Sequence, residues 1–206
     1  MKIANIFDNA RLYELLQFGM ARRGTLEILR NQVLKPYGVK KVLDFGCGIG
    51  DRSKEFVDSE YLGIEPLSDC VNKAHRKFKN SKNNFIVGDH ESLRSIPDSS
   101  YDLIIALGVL HHISDFIFDE FIRESHRILR AGGRLTTFDP VYHKDQSRIS
   151  KWVVSRDRGN WVRTADGYLN PIQKIYRQEP RNKIFTNLLK IPYDHIAIEI
   201  EKINIS

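Results

Sequence analysis

Residues Val42 to Gly50 read VLDFGCGIG, three glycines within five positions directly behind a run of strand-forming residues. Glycine weakens a strand interior, so the chain must turn sharply there or bring bare backbone against another group. The same pattern of short apolar strand and following helix recurs downstream. Lys41 to Phe45, Tyr61 to Ile64, Phe85 to Val87, Tyr101 to Leu107 and Arg134 to Phe138 read as five buried strands. Between them run helical periods. A helix from Ser68, as its cap, to about Phe78 places Val71, Ala74, His75 and Phe78 on one face. A longer one from Asp115 to Leu129 ends in the basic turn Arg127 to Arg130 and is closed by Gly132-Gly133. A further helix spans about 20 to 35 and stops at Pro36-Tyr37-Gly38, and another follows the glycine loop to about Phe56. The link from Glu91 to Ser100 is the least clearly helical.

Strands separated by helices predict an α/β fold with a mostly parallel sheet and helices on both faces. The tail departs from that pattern. Lys183 to Ile191 and His195 to Glu201 read as two strands joined by the turn Pro192-Tyr193-Asp194, a hairpin, so one late strand runs antiparallel. Residues 141 to 180 mix aromatics, charges and turns without a clear period.

At 206 residues the chain suits one full-sized domain. No stretch approaches the 18 or so apolar residues needed to span a bilayer. Asn5, Asp8 and Arg11 break the N-terminus before a signal-like apolar core forms. The two cysteines, Cys47 and Cys70, make neither a metal-ligand pair nor a disulfide framework, so a reduced cytoplasmic setting is expected. Formal net charge is +6, but it is concentrated. From Lys144 to Lys190, eleven Lys or Arg stand against four Asp or Glu, a net +7 that leaves the remainder near −1. The basic character therefore belongs to one late segment and needs a local explanation.

Ligands of open parallel sheets bind beyond the carboxyl ends of the strands, where strand order reverses, and the loop after the first strand is the usual place. A nicotinamide or flavin fingerprint would space its glycines G-x-G-x-x-G. Here the spacing is Gly46, Gly48, Gly50, and Asp51 stands where the third glycine of that fingerprint would fall. A Walker loop would end in Gly-Lys-Ser/Thr, which is missing. Asp44 would sit badly beside phosphate and well beside a cation. Glu65 ends the second strand nineteen positions after Gly46, where a carboxylate can accept from two ribose hydroxyls. A ligand with a ribose, a cation and no phosphate describes S-adenosylmethionine.

Four successive motifs, VLDFGCGIG, YLGIEP, FIVGDHESLRSIPDSSYDLIIALGVLHHI and RILRAGGRLTTFDP, resemble those of the class I S-adenosylmethionine-dependent methyltransferases, in particular their small bacterial type 11 members. The likeness runs from Val42 to about Phe138. It implies a Rossmann-like sheet of seven strands in the order 3-2-1-4-5-7-6, strand seven antiparallel, in a single domain over 1–206. Within it, 1–38 would supply N-terminal helices or a lid, 39–140 the cofactor core, 141–182 a basic acceptor-site insertion and 183–206 the closing hairpin. The resemblance places Asp44, Gly46, Gly48 and Gly50, with Phe45 and Cys47 of the same loop, around the methionine part. Glu65, with Pro66 beside it, would hold the ribose, Asp89 and His90 would border the adenine, and Leu107 and Gly108 would line the floor. Cys47 itself reads as a small loop residue.

Methyl transfer from a sulfonium needs mainly orientation, worth about 7–11 kcal/mol, against about 3–5 kcal/mol for a general base. A base is required only if the acceptor must lose a proton. The candidates are His111 and His112 after strand four and Asp139 after strand five, with Tyr142 and His143 next. One of the two histidines is expected to pack rather than react, and Asp139 to be a base or a cap before Pro140. In SRDRGNWVRTADGY, Arg156, Arg158 and Arg163 interleave with Trp161 and Tyr168, as forks for a small anionic or phosphorylated acceptor or as partners of Asp157, Asp166 and Glu179. Tyr13 and Phe18 are candidates for a lid or for N-terminal packing. Nucleic-acid methylation is the main rival, on the basic charge and Arg/Trp pairing, but strand four ends in ALGVLHH rather than in a base-methylase motif. A noncatalytic cofactor-binding module and a nicotinamide oxidoreductase complete the alternatives. No metal site is expected.

Overall fold

A computed structural model describes residues 21–79, 82–157 and 159–203. Seven strands form one sheet: β1 Lys41–Phe45, β2 Glu60–Glu65, β3 Asn84–Val87, β4 Tyr101–Leu107, β5 Leu129–Pro140, β6 Arg181–Phe185 and β7 His195–Glu201. Their order is β3-β2-β1-β4-β5-β7-β6. β7 runs antiparallel to both β5 and β6, and the other pairs are parallel. This is the expected Rossmann-like topology, with the reversal of order between β1 and β4.

The central strands are apolar on both faces because both faces are covered. Leu43, Phe45, Ile104 and Ala106 pack with Phe118, Phe121 and Ile122 of α3 (Asp115–Ile128) and with Tyr168, Ile172 and Tyr176 of α5 (Ala165–Tyr176). Val42, Leu103 and Ile105 point the other way, against Phe56, Val71 and Ala74, the last two on α2 (Ser68–Lys77). The remaining helices are α1 (Thr25–Ile28), continued by a π-helical turn Leu29–Leu34, and α4 (Arg148–Val154).

Several local expectations change. Leu67, not Ser68, occupies the cap of α2, and the Glu65 carboxylate accepts the Leu67 N–H at 3.1 Å. The segment behind the glycine loop is a 3-10 turn, Asp51–Phe56, entered from left-handed Gly50. Gly132-Gly133 does not close α3. The helix ends in Leu129, which already belongs to β5, and the two glycines bulge inside that strand, where Gly132 N donates to Lys202 O at 2.8 Å. The helix end is capped by Lys202, the residue after β7, whose Nζ lies 2.7 Å from Leu129 O. The tail strand stops at Phe185 instead of running to Ile191, because Leu188 is drawn into a small cluster with Val33, Phe138 and Phe185. The stretch without a clear period holds two helices, α4 and α5, the second interrupted in pattern by Pro171.

Candidate active site

The turns after β1 and β4 are built on glycines with positive φ, and those glycines divide the work. Gly46, Gly48, Gly50 and Gly108 all have positive φ, at 75°, 55°, 78° and 70°. A Cβ on Gly46 would lie 2.5 Å from the Val109 side chain, and one on Gly50 would clash with the Phe85 ring. Those two glycines permit close packing. A Cβ on Gly48 or Gly108 would meet nothing within 4 Å. These two leave bare backbone facing open space, a cradle that a ligand can fill.

Carboxylates frame that cradle. Glu65 Oε2 accepts from Gly48 N at 3.0 Å, so the end of β2 holds the loop's shape directly. Each of its oxygens keeps a lone pair beyond its backbone donor, as pairing with a diol requires. Asp44 shares a face with Val42 and lies buried under the loop, hydrogen-bonded by the Tyr61 hydroxyl. Burial raises its carboxyl from 3.8 to about 7, partly offset by Tyr61 and Arg52. A neighbouring cation would relieve that cost. The donor set therefore fits a cationic, ribose-bearing cofactor. Cys47 is buried against Gly63, and its thiol is pushed well up by burial, as suits a packing residue. The Phe45 ring stacks on Phe121 at 4.8 Å within the core, which leaves only its backbone beside the loop. Pro66 is exposed. Asp89 caps the turn His90–Ser95 through Glu91 N at 2.9 Å, and His90 Nε2 lies 3.3 Å from Glu120. Leu107 is half-buried beside Gly108, whose N–H is held by Phe138 O at 2.7 Å.

At the ends of β4 and β5 the structure joins two sequence candidates. Asp139 Oδ1 accepts from Leu110 N at 2.9 Å and His111 N at 3.2 Å, and lies 2.8 Å from His111 Nδ1. Its other oxygen, Oδ2, is buried without a partner among the described residues. His111 is buried, whereas His112 is exposed and rests its ring 4.0 Å from that of His111. Val109, packed on Gly46, ties this turn to the glycine loop.

Residues assigned another role from sequence, or none, complete the environment. Asp157 Oδ1 stands 3.4 Å from His111 Nε2 and is held by Gly159 N at 2.6 Å, with the Tyr193 hydroxyl on its other oxygen. Asp194 pairs with His143 at 3.0 Å. His195 stacks on Phe138, and burial with nearby His111 lowers it from 6.5 to about 4. Asp157 sits inside an arginine-rich motif, where the sequence offered it only as an arginine partner, and Tyr193 sits inside a turn, with no signal that it reaches Asp157.

The arginines separate. Arg163 was a candidate for the acceptor, but its guanidinium is buried in the fold. It donates to Asp115, to the carbonyls of Leu110, Trp161 and Ile113 at 2.8–3.1 Å, and covers the Phe118 ring. Its acid partner is Asp115 rather than Asp157, Asp166 or Glu179. Arg156 is exposed, its guanidinium 4.3 Å from the Trp152 ring centre. Tyr142 is half-buried and its backbone bridges Arg163 and Thr164. Arg158, Tyr13 and Phe18 lie outside the described residues.

Fold and cradle together define the class I, Rossmann-like methyltransferase architecture. Residues 42–133 match the model of the methyltransferase domain family. The chain is 27% identical over 194 residues to an uncharacterized methyltransferase of Bacillus cytotoxicus, covering 90% of this chain and 89% of that protein. It is 30% identical over 142 residues to a sterol 24-C-methyltransferase of Aspergillus fumigatus, covering 62% of this chain but 37% of the relative's length. A geranyl diphosphate methyltransferase solved with S-adenosylmethionine superposes with a TM-score of 0.72 at 12% identity, over 96% of this chain and 92% of that one. The matched domain, the relatives and the shared fold together support a class I S-adenosylmethionine-dependent methyltransferase.

Proposed function

We propose that this chain transfers a methyl group from S-adenosylmethionine to an oxygen or nitrogen of a small acceptor, and that His111 with Asp139 takes the acceptor's proton. The 2.8 Å contact between His111 Nδ1 and Asp139 Oδ1, one short turn from the glycine loop, carries the reading. With Nδ1–H donated to Asp139, Nε2 is the basic position. Asp157 faces the same nitrogen, so a proton taken there has a second carboxylate beside it. The bound cofactor supplies a methyl group already activated for displacement by its sulfonium. Around it, Glu65 serves the ribose hydroxyls, Asp44 balances positive charge, Gly48 and Gly108 offer backbone, and Asp89 and His90 border the base. His112 lies exposed next to His111, within reach of an acceptor.

We extend the reading to an anionic or phosphorylated acceptor met by Arg156, with Arg158 of the same motif and Tyr142 as further candidates. Arg163 has no part in it, since its donors are committed to the fold.

Calorimetric titration with S-adenosylhomocysteine tests the cofactor half. Saturable one-to-one binding that weakens strongly in Glu65→Ala supports it, and no binding to the wild type overturns it. Product detection by mass spectrometry across hydroxyl and amine acceptors, phosphorylated and not, tests the rest. Binding of the cofactor with transfer to no acceptor would favour a noncatalytic module.

A further inference from the structure

The short helix α4 carries an unusual surface. Its inner side is Ser150 and Val154, both buried, while Ile149 and Trp152 stand 66% and 57% exposed. Arg148 and Trp152, four apart on α4, form an outward ridge with Ile149 beside it, and Arg156, just past the helix end, lays its guanidinium over the Trp152 ring. Lys151 of α4 is exposed on the flank of that ridge, and Lys144, four residues before the helix begins, is exposed too. Among the described residues, no ion pair engages the side chain of Lys144, Arg148, Lys151 or Arg156. Some exposed cations elsewhere are paired, as at Lys41–Glu60 and Arg94–Glu120. Here four cations without an acid partner among the described residues accompany two exposed apolar side chains, and one of them, Arg156, lies over the Trp152 ring.

We infer that this face of α4 seats on an anionic lipid surface, with Trp152 and Ile149 entering the headgroup boundary and Lys144, Arg148, Lys151 and Arg156 meeting lipid phosphates. The charge complementarity is direct. Basic residues around Trp and aliphatic side chains on one helix face are the composition that holds a helix in the plane of a membrane interface. A protein partner fits less well, because interface cores are depleted in lysine and its charge needs a paired acid. Single-stranded nucleic acid also fits less well. A base would stack on the Trp152 ring, but the Arg156 guanidinium already covers one face of it, and Ile149 offers a strand nothing. The chain leaves α4 directly into Asp157, which sits on His111. A docked α4 therefore brings the His111 end of the site to the lipid boundary, where an amphiphilic molecule enters without crossing water. The docking does not depend on which acceptor is methylated, or on whether transfer occurs.

The test uses the full chain in vesicle flotation. One set of vesicles is phosphatidylcholine alone and the other is phosphatidylcholine with phosphatidylglycerol. The protein is expected to float with the anionic set, to stay behind with the neutral set, and to lose binding as salt rises. Ile149→Ser with Trp152→Ser, and separately Arg148→Glu with Lys151→Glu, should each weaken binding at least ten-fold. Both double variants should keep the wild-type melting temperature and affinity for S-adenosylhomocysteine. Arg181→Glu, on β6 with a side chain 86% exposed, should leave flotation unchanged. In a Trp161→Phe background, Trp152 is the single fluorescent indole, and its emission should shift to the blue on anionic vesicles. Failure to float at low salt overturns the proposal, as does undiminished flotation of the double variants. Displacement from vesicles by a single-stranded oligonucleotide bound more tightly through the same residues would also overturn it.

Discussion

His111 Nδ1 lies 2.8 Å from Asp139 Oδ1, and the same carboxylate oxygen accepts the backbone N–H groups of Leu110 and His111. One side chain at the end of β5 thus fixes both the turn after β4 and the ring that the turn carries. His111→Ala is expected to lower methyl transfer by about 10²–10⁴-fold while S-adenosylhomocysteine affinity changes little. Asp139→Ala should lower transfer and the melting temperature together, since three donors lose their acceptor. Equal transfer by wild type and His111→Ala would remove the base from the mechanism.

The glycine loop allows the packing and binding roles to be separated by mutation. Gly48→Ala enters open space at a left-handed φ, so it should cost about 1–3 kcal/mol in strain and weaken cofactor binding. Gly50→Ala meets the same strain and adds a clash with Phe85, so thermal unfolding should show a distinctly larger loss of stability.

With Asp44 beside the cofactor's positive charge, as proposed, cofactor binding is expected to depend on pH. Its folded value near 7 exceeds the ordinary 3.8, so the folded chain keeps a proton that the unfolded chain has released. Stability from this group is full below about pH 4 and is lost as pH rises toward 7. A cation beside the carboxylate favours the ionised form, so S-adenosylmethionine affinity should rise between pH 5 and about 7. Calorimetry at pH 6 in two buffers of different protonation heat should show proton release, and Asp44→Asn should abolish both effects.

The arginines should behave oppositely. Arg163→Ala leaves the carbonyls of Leu110, Ile113 and Trp161 without their donor, each worth about 1–3 kcal/mol, and the melting temperature should fall by many degrees. Neutralising Arg156 and Arg158 together should weaken acceptor use with cofactor affinity unchanged. Equal loss of both affinities would mark that pair as structural.

Gly159 faces His111 so closely that a Cβ would clash with the imidazole. Gly159→Ala should push Asp157 and its loop off the ring. Transfer should fall more than stability does, as a comparison of turnover with melting temperature would show.

The parallel strands, the glycine loop and the carboxylates at Asp44 and Glu65 could be read from local pattern. Period-two or continuous apolar runs and turn glycines announce themselves within a few residues. α5 escaped because Gly167 and Pro171 interrupt its period, although Tyr168, Ile172 and Tyr176 still line one buried face. The end of β6 was overrun because LLKI looks like strand, while Leu188 in fact leaves the sheet to fill a cluster beside Phe138.

Order along the chain thus determined the α/β alternation, the hairpin tail and the place of the glycine loop, since each follows from propensities and spacings within one segment. Tertiary structure decided which histidine is buried, that Arg163 braces the fold, and that Asp157 reaches His111 across 46 positions. It also decided that Gly46 and Gly50 serve packing while Gly48 and Gly108 face open space. Those outcomes depend on which distant side chains share a buried volume, and burial is set by the packing of whole elements rather than by any local stretch of residues.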